Sequence, residues 1–398
     1  MRVAIIRERR ADEQRVAATP DSVKHMAGMG LAPVVESGAG AAAYFTDESY
    51  RAAGATIAPD AAAALDNADI LLKVQRPLLG GADGIDELHL LKRGAVLIGM
   101  LAPLQHPDDV AAYAAAGISA FAMELIPRIT RAQTMDVLSS QANLAGYKAV
   151  LDAADAFGRA LPLMMTAAGT IKAARVLVMG AGVAGLQAIA TARRLGAIVS
   201  ATDVRAAAKE QVESLGATFI TVDEEAMRAA ETAAGYAREM GEEFQRRQRE
   251  KVAEALRRTD IVITTALIPG RPAPILLTES MVAGMMPGSI IVDLAVEAGG
   301  NVEGSRPGEI TTTEGGVKII GHLNMPSRIP VDASQLYARN LQAFLALIVD
   351  KEGRVHIDTE DEIVRAALLT SEGAAVNPAL ASPPAAAAAV APAADAGQ

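Results

Sequence analysis

Cysteine and tryptophan are absent from this 398-residue chain, and aromatic residues make up only 3% of it. Without cysteine, the protein has no disulfide, no thiolate ligand for a metal and no cysteine nucleophile. Its hydrophobic fraction is nevertheless 51%. The cores must therefore be built mainly from Ala, Val, Leu, Ile and Met.

Blocks of Lys and Arg and long apolar runs are absent as well. The formal net charge is −10, whereas non-specific binding to nucleic acid or to an anionic lipid surface requires clustered positive charge. No run of about 18 uncharged apolar residues, the length that spans a bilayer, occurs. The opening MRVAIIRERR becomes charged after a short apolar stretch, which indicates a strand and not a signal peptide. We expect a cytoplasmic protein that neither inserts into a membrane nor binds nucleic acid.

Side chains that could carry a proton in a reaction are scarce. Only His322, in GHLNMPSR, lies near an expected cleft, and a loop histidine bonded to backbone is the more common case. The histidines show no paired spacing and the carboxylates are scattered, so we expect no metal. A nucleophile elbow, a P-loop and a Ser/His/Asp order are also missing. The five histidines are His25, His89, His106, His322 and His356.

The chain has a regular α/β pattern. In the first 125 residues, short β-rich runs alternate with Ala-rich helical segments, which predicts a mostly parallel sheet. A second series of six strands begins with strand, glycine turn, helix and strand. The expected fold class is therefore α/β, with two doubly wound, Rossmann-like domains. The predicted strands are VAIIRE, APVVESG, ATIAP, ILLKVQ, AVLIGML and ISAFAMEL in the first domain, and RVLVM, IVSATD, ATFITV, IVITTA, SIIVDLA and KIIGHL in the second.

The domain boundaries follow from the C-terminal third of the chain. A capped amphipathic helix is predicted from Asp332 and should return to the first domain, which is then discontinuous, 1–140 plus 327–375. The Rossmann domain occupies 141–326. Residues 376–398 are rich in Ala and Pro and predict a disordered tail or linker, with an engineered tag as the alternative. The apolar face of the helix consists of Leu336, Leu341, Phe344, Leu345 and Ile348.

A glycine pattern directly follows the strand RVLVM. Gly180, Gly182 and Gly185 spell G-x-G-x-x-G between that strand and a predicted helix. In dinucleotide-binding domains the first glycine permits a tight turn, the second lets the pyrophosphate approach, and the third lets helix and strand pack closely. The pyrophosphate lies at the helix N-terminus. The pattern alone is weak in an Ala- and Gly-rich chain, but its position predicts a nucleotide site.

Asp203 ends the next strand, about twenty residues after the glycines, where a carboxylate binds the adenosine ribose. Because this charge would repel a 2′-phosphate, we expect NAD(H) rather than NADP(H), with Arg205 as the one feature that could soften the preference. The alternative is an aspartate that only caps a loop. Leu267, just past IVITTA, is either a cofactor contact or a core leucine.

The segment between ATFITV and IVITTA is much longer than a crossover helix needs. This insertion, about 223–250, is rich in Glu and Arg and is interrupted at Gly235 and Tyr236. Its composition favours a mobile loop over the nucleotide, with Tyr236 at its tip and Gln248 as a polar contact. A solvated helical pair with no special role is an equally good interpretation.

The segment RITRAQTMDVLSS, 128–140, concentrates polar side chains just before a long predicted helix. We call it the polar loop. It contains Arg128, Gln133, Asp136 and Ser139 but no His, Lys or Tyr. Such a loop can hold a ligand by hydrogen bonds but is poorly equipped to move a proton.

Five segments together resemble the NAD(H)-binding component, domain I, of proton-translocating nicotinamide nucleotide transhydrogenases. They are PRITRAQTMDVLSSQANLAGYKAV, VLVMGAGVAGLQAIATARRLGA, ATDVRAAAKEQVESLGA, GYAREMGEEF and MPGSIIVDLAVEAGGN. The resemblance implies NAD(H) in a cleft between two Rossmann-like domains, with Arg128, Gln133, Asp136 and Ser139 holding the nicotinamide and its ribose. The cofactor-binding residues expected on this basis are Arg128, Ile129, Gln133, Gly180, Gly182, Val183, Ala184, Gly185, Asp203, Val204, Arg205, Gly235, Tyr236, Gln248 and Leu267.

The resemblance also implies partners. This family works with a domain that binds NADP(H) and with a membrane domain that conducts protons, and neither is recognisable in this sequence. We expect a homodimer, inactive alone, that passes hydride between NADH and NADP+ on the partner domain. Its expected location is peripheral, at the cytoplasmic face of the inner membrane, through these partner subunits.

Alanine dehydrogenases are related by fold and supply the alternative function, an amino-acid oxidoreductase. They share Arg15, which binds a substrate carboxylate in them, but their catalytic Lys corresponds to Gln75 and their catalytic His to about Ala102. Amine oxidation here would therefore lack its proton acceptor. Hydride transfer between two nicotinamides moves no proton and requires only two rings held about 3 to 3.5 Å apart. A non-catalytic NAD sensor, the third possibility, would not need the polar loop.

Overall fold

The computed structural model describes residues 1–80, 84–221, 242–268 and 270–381. These residues form two parallel-dominated sheets covered by helices and joined by two helical connections, which confirms the predicted α/β class with two domains. Within the described ranges, no helix is both long and apolar enough to cross a membrane.

The bounds of the elements are as follows. The strands are β1 (Arg2–Ile5), β2 (Ala32–Glu36), β3 (Thr56–Ala58), β4 (Ile70–Gln75), β5 (Val96–Met100), β6 (Ser119–Ala122), β7 (Met164–Thr166), β8 (Gly169–Ile171), β9 (Arg175–Met179), β10 (Ile198–Thr202), β11 (Thr218–Phe219), β12 (Ile261–Thr264), β13 (Ile290–Asp293), β14 (Ile310–Thr312), β15 (Lys318–Ile320), β16 (Leu368–Ser371) and β17 (Ala374–Ala375). The helices are α1 (Pro20–Gly28), α2 (Asp47–Ala52), α3 (Ala61–Leu65), α4 (Pro107–Ala115), α5 (Val137–Ala156), α6 (Val183–Arg194), α7 (Ala208–Ser214), α8 (Glu242–Leu256), α9 (Glu279–Ala283), α10 (Pro330–Ile348), α11 (Glu362–Ala367) and α12 (Pro378–Ala381).

The first sheet has the strand order β17-β16-β6-β5-β4-β1-β2-β3 and is parallel from β6 to β3. It contains all six strands predicted for the first domain. Alternate residues face opposite sides, so Val3 and Ile5 lie in one apolar core and Ala4 and Ile6 in another. β16 and β17, which the sequence pattern does not predict, extend the sheet antiparallel at the β6 edge.

The second sheet has the order β11-β10-β9-β12-β13-β15-β14. All six predicted strands are present and parallel, and β14 is an additional antiparallel edge strand. Val176 and Val178 of β9 lie in one core, and Leu177 and Met179 lie in the core on the other face. The strand order reverses between β9 and β12, and open α/β sheets bind their ligands at this switch point.

Two helices connect the sheets. α5 leads from the first sheet to the second, and the chain returns through a 3-10 turn into α10, whose buried residues join the core of the first sheet. The helix begins at Pro330 with no side-chain cap on Ile329, so the prediction of a capped start at Asp332 was wrong. A proline at the first helical position has no N–H to cap and already has a helical φ. Of the predicted apolar face, Leu336 is half-buried, and the fully buried members are Leu341, Phe344, Leu345 and Ile348.

The predicted tail and insertion lie largely outside the described residues. Asn377 is buried, and its amide donates to the carbonyl oxygens of Ala366 and Leu368 at 2.9 and 2.8 Å. Described structure therefore continues past residue 376, through α12, and residues 382–398 lie outside it. Of the insertion, only the part from the start of α8 is described, so Gly235 and Tyr236 lie outside as well.

Candidate dinucleotide-binding site

The three glycines of the turn after β9 have different surroundings. Gly180 has a φ of +104°, and a Cβ added to it would lie 2.5 Å from Oγ1 of Thr265. A Cβ on Gly185 would lie 1.8 Å from the carbonyl oxygen of Gly180. Within the described residues, nothing lies within 4 Å of a Cβ added to Gly182. The fold itself thus requires the first and third glycines, whereas the second leaves space from which a ligand can approach the backbone.

The first turn of α6 faces the same space. Gly182 is the residue before the helix and provides no side-chain cap for it. The backbone donors of this turn are therefore those that a pyrophosphate would take. Val183 is 41% exposed and Ala184 is half-buried. Both predicted contacts consequently lie at the rim of the site and not in the core.

Asp203 follows β10 directly, and its carboxylate is bonded to the glycine turn. Oδ2 accepts from the N–H of Ala181 at 2.7 Å, which holds the carboxylate beside the turn. Arg205 donates to the same carboxylate from its backbone at 2.8 Å and from Nε and a terminal nitrogen at 3.0 Å each. The aspartate therefore lies where a ribose would bind, but Arg205 offsets its negative charge.

The rim of the site is completed from the ends of β10 and β12. Val204 is 70% exposed and Leu267 is 57% exposed, so Leu267 is not a core residue. The side chain of Gln248 donates to Oγ1 of Thr202 at 3.1 Å, which places α8 over the end of β10. Asn301 is fully buried and exchanges two hydrogen bonds of 2.9 Å with the backbone of Ala266, and so anchors the segment that carries Leu267.

The polar loop is a short 3-10 helix that leads into α5. Asp136 precedes α5, and its carboxylate accepts from the N–H of Ser139 at 2.8 Å and from the hydroxyl at 2.5 Å. Arg128 and Gln133 are exposed, and Ile129 is half-buried. All the predicted polar side chains are therefore at or near the surface, where a ligand can reach them.

Gly146 brings the polar loop and the glycine turn together. This glycine lies in α5, and a Cβ on it would lie 2.0 Å from the carbonyl oxygen of Ala184 in the first turn of α6. The two helices thus touch backbone to backbone. The N-terminus of α5 carries Asp136, so the predicted nicotinamide loop has a fixed spacing from the predicted pyrophosphate site. The sequence analysis missed Gly146, whose only signal is a glycine inside a helical pattern.

A buried ion pair lies where the two domains meet. Arg15 is 4% exposed and donates to both oxygens of Glu13, from Nε at 2.8 Å and from a terminal nitrogen at 2.6 Å. It also donates to Oε1 of Gln141 in α5 at 2.8 Å and to Oδ1 of Asn324 after β15 at 3.0 Å. Burial alone would raise the pKa of Glu13, but the hydrogen bonds and charge of Arg15 lower it to about 2. The guanidinium therefore already has a carboxylate partner within the chain.

The positions that hold catalytic groups in alanine dehydrogenases are occupied differently here. Gln75 donates to Oε2 of Glu13 at 2.7 Å and belongs to the ion-pair network. Ala102 has a φ of +48°, and its N–H donates to Glu124. His322 is half-buried, and burial, followed by the charge of Arg328, lowers the pKa of its imidazole. In the part of the chain that is described, no cluster of histidine and carboxylate side chains could hold a metal.

Lys73 is a second buried charge beside the site. It is 1% exposed and pairs with Glu8 at 3.1 Å and Glu87 at 3.0 Å. Burial raises the pKa of Glu8, although the charge of Lys73 opposes this. One Lys inside the apolar run ILLKVQ was the only sequence signal. The cluster lies near the end of β4, which also carries Gln75.

The fold and the site define a class, the two-domain Rossmann-type dinucleotide-binding proteins. The comparisons with known proteins narrow it. Family models described as alanine dehydrogenase/PNT match the N-terminal domain over residues 4–145 and the C-terminal domain over residues 149–378. The chain belongs to this alanine dehydrogenase/PNT family, on its transhydrogenase branch.

The relatives show the branch. The first portion of the split NAD(P) transhydrogenase alpha subunit of Rhodospirillum rubrum is 59% identical over 381 residues, which is 96% of this chain and 99% of that protein. The crystal structure of transhydrogenase from Sinorhizobium meliloti has a TM-score of 0.85 at 52% identity and covers 94% of this chain and 100% of that one. The alanine dehydrogenase of Bacillus subtilis is 28% identical over 381 residues, 94% of this chain and 92% of that protein. The resemblance to transhydrogenases and the assignment as an oxidoreductase of that type are therefore confirmed.

Proposed function

We propose that this protein is the NAD(H)-binding subunit of a proton-translocating transhydrogenase. It holds NADH and passes hydride to NADP+ bound on a partner domain. The observation that carries the proposal is the backbone contact at Gly146, which sets the polar loop beside the glycine turn. The proton carriers of an amino-acid dehydrogenase are replaced in the same cleft by Gln75 and Ala102. A site that fixes a nicotinamide without an acid or base suits transfer between two nucleotides.

The residues present fit the nucleotide. Bound NADH supplies the hydride. The open face of Gly182 and the first turn of α6 accept the pyrophosphate, and Asp203 lies where the adenosine ribose binds, held there by Ala181. The polar loop offers hydrogen bonds to the nicotinamide and its ribose, and the insertion, about 223–250, closes over the nucleotide. The proposed contacts are Arg128, Ile129, Gln133, Asp136, Ser139, Gly180, Gly182, Val183, Ala184, Gly185, Asp203, Val204, Arg205, Gly235, Tyr236, Gln248 and Leu267.

The partners follow from the same assignment. The Rhodospirillum rubrum relative is named as one portion of an alpha subunit, which supports a separate subunit that works in an assembly. The proposed assembly contains a homodimer of this chain, an NADP(H)-binding subunit and a membrane subunit that couples hydride transfer to proton translocation. The homodimer is attached through these partners at the cytoplasmic face of the inner membrane.

The proposed domain division follows the two sheets. The first domain, 1–140 plus 327–375, contains β1 to β6 together with β16 and β17. The Rossmann domain, 141–326, contains β9 to β15. The return of α10 to the core of the first sheet supports a discontinuous first domain.

Alanine dehydrogenase activity is the alternative, and the cleft does not favour it. Arg15, which would bind the substrate carboxylate, is already paired with Glu13 and bonded to Gln141 and Asn324. Gln75 cannot accept a proton from an amine at neutral pH. A substrate acid would have to displace buried partners and would find no base.

The deciding experiment mixes the purified protein with an NADP(H)-binding transhydrogenase domain and follows hydride transfer from NADH to an NADP+ analogue. We expect transfer that depends on both proteins. The control replaces the second nucleotide with alanine and NAD+, where we expect no NADH to form. Absence of transfer at every ratio of the two proteins, or alanine-dependent formation of NADH, would refute the proposal.

A further inference from the structure

Asn340, in the middle of α10, holds both ends of the polar-loop segment 134–140. It is 7% exposed. Its Nδ2 donates to the carbonyl oxygen of Thr134 at 2.7 Å, and its Oδ1 accepts from the hydroxyl of Ser140 at 2.8 Å. Between these two partners lie Asp136 and Ser139. One buried amide therefore fixes the distance between the ends of the segment that carries them.

The hydrogen bonds continue from Asn340 to the buried ion pair. The hydroxyl of Ser140 accepts from Nε2 of Gln141 at 3.3 Å, and Oε1 of Gln141 accepts from Arg15 at 2.8 Å. α10 is itself anchored, because the hydroxyl of Tyr337 donates to the backbone carbonyl oxygen of Lys73 at 2.7 Å. The clamp on the loop is thus tied to rigid elements of both domains, as precise positioning of a site requires.

Loss of the clamp would release the loop without unfolding α5. The carbonyl oxygen of Val137 lies 3.1 Å from the hydroxyl of Ser140, so that hydroxyl keeps a partner inside its own helix. The carboxylate of Asp136 continues to cap α5 through Ser139. The group that loses its partner is the carbonyl oxygen of Thr134, directly after Gln133.

We propose that Asn340 is a positioning residue for hydride transfer: it makes no contact with the nucleotide itself and sets the place of Gln133 and Asp136. The inference rests on the proposed function. It is independent of the loop's own polar residues, since a correctly composed loop in the wrong place would still transfer slowly. Displacements on the order of 1 Å reduce rates by roughly a hundredfold in such reactions.

The test variant is Asn340→Asp, which keeps the size and the acceptor for Ser140 but places an oxygen opposite the carbonyl oxygen of Thr134. The matched control is Asn377→Asp. Asn377 is also buried, at 6% exposed, and also donates to backbone carbonyl oxygens, those of Ala366 and Leu368. Three quantities are measured on the full chain: hydrogen exchange of the amides of 134–140, the NADH dissociation constant, and the transfer rate at saturating nucleotide with the partner domain.

We expect Asn340→Asp to speed exchange in 134–140 and to slow saturated transfer by roughly tenfold or more, with NADH affinity changed only about twofold. Asn377→Asp should leave both loop exchange and transfer close to those of the wild type. Unchanged loop exchange, or wild-type transfer by Asn340→Asp, would overturn the inference alone. Absence of transfer by the wild-type protein would instead refute the proposed function, and the inference with it.

Discussion

Gly146→Ala tests whether α5 and the first turn of α6 form one fixed unit. The new Cβ would lie 2.0 Å from the carbonyl oxygen of Ala184 and 2.8 Å from its carbonyl carbon, whereas real Cβ contacts stay beyond 3.0 Å. The two helices must therefore separate by about 1 Å, since backbone atoms cannot turn aside as a side chain could. Overpacking of this kind costs roughly 1–3 kcal/mol.

This strain should appear both in stability and in nucleotide binding. If the separation moves the glycine turn away from the polar loop, a loss of 1–3 kcal/mol in binding corresponds to NADH affinity lower by roughly 5- to 150-fold. The assay is a fluorescence titration with NADH, together with thermal unfolding of the protein with and without the nucleotide. We expect weaker NADH binding and a lower unfolding temperature.

Gly28→Ala is the matched control, because Gly28 ends α1 and nothing described lies within 4 Å of a Cβ on it. Alanine is favoured over glycine in helices by roughly 0.5–1 kcal/mol. The control should therefore be as stable as the wild type or slightly more stable, with unchanged NADH affinity. If Gly146→Ala binds NADH as the wild type does and unfolds at the same temperature, the two helices are not a fixed unit and the reasoning fails.

Three further predictions concern the site and its supports. Gln133→Asn and Asp136→Asn should each slow saturated hydride transfer far more than they weaken NADH binding, measured by rapid mixing and by titration; equal losses in both would remove these side chains from the reaction. Arg205→Ala should leave the charge of Asp203 without its offset and increase the ratio of the NADPH to the NADH dissociation constant, so an unchanged ratio would count against a role for Arg205. The pKa of Glu13 is lowered from 4.5 to about 2. Its ionised form therefore stabilises the fold fully above pH 4.5 and loses this contribution, roughly 3 kcal/mol, as the pH falls to 2. In denaturant titrations Glu13→Gln should be less stable at neutral pH than the wild type but should lose less on acidification; parallel pH curves would contradict this.

Much of the fold could be predicted because the buried parallel strands are apolar runs bounded by turns. The hairpin of β7 and β8 could not, because all of its residues are exposed and an exposed pair of short strands leaves no apolar alternation. β14 and β16 are short edge strands whose pairing depends on neighbours distant in sequence. The start of α10 was misplaced because Asp332 was taken as a cap, whereas Pro330 starts the helix by its fixed φ.

The candidate site could be predicted where a short motif contains its own geometry. Gly180, Gly182 and Gly185 show their roles by spacing alone, and the surroundings of each glycine in the structure fit those roles. Gly146 and Asn340 could not be found in this way. Their effects depend on contacts with other segments, and the partner of Asn340, Thr134, is 206 residues away. Only the folded chain brings such pairs together.

The two crossings between the domains have a mechanical consequence. α5 and α10 lie against each other, and α5 also packs against α6. A cleft joined by two helices side by side has one axis about which its walls can turn, and that axis runs along the helices. The polar loop lies at the N-terminus of α5 and is bonded to α10, close to this axis, where a rotation displaces atoms least. The mouth of the cleft can therefore widen to admit or release a nucleotide while the groups that hold its reactive end keep their places.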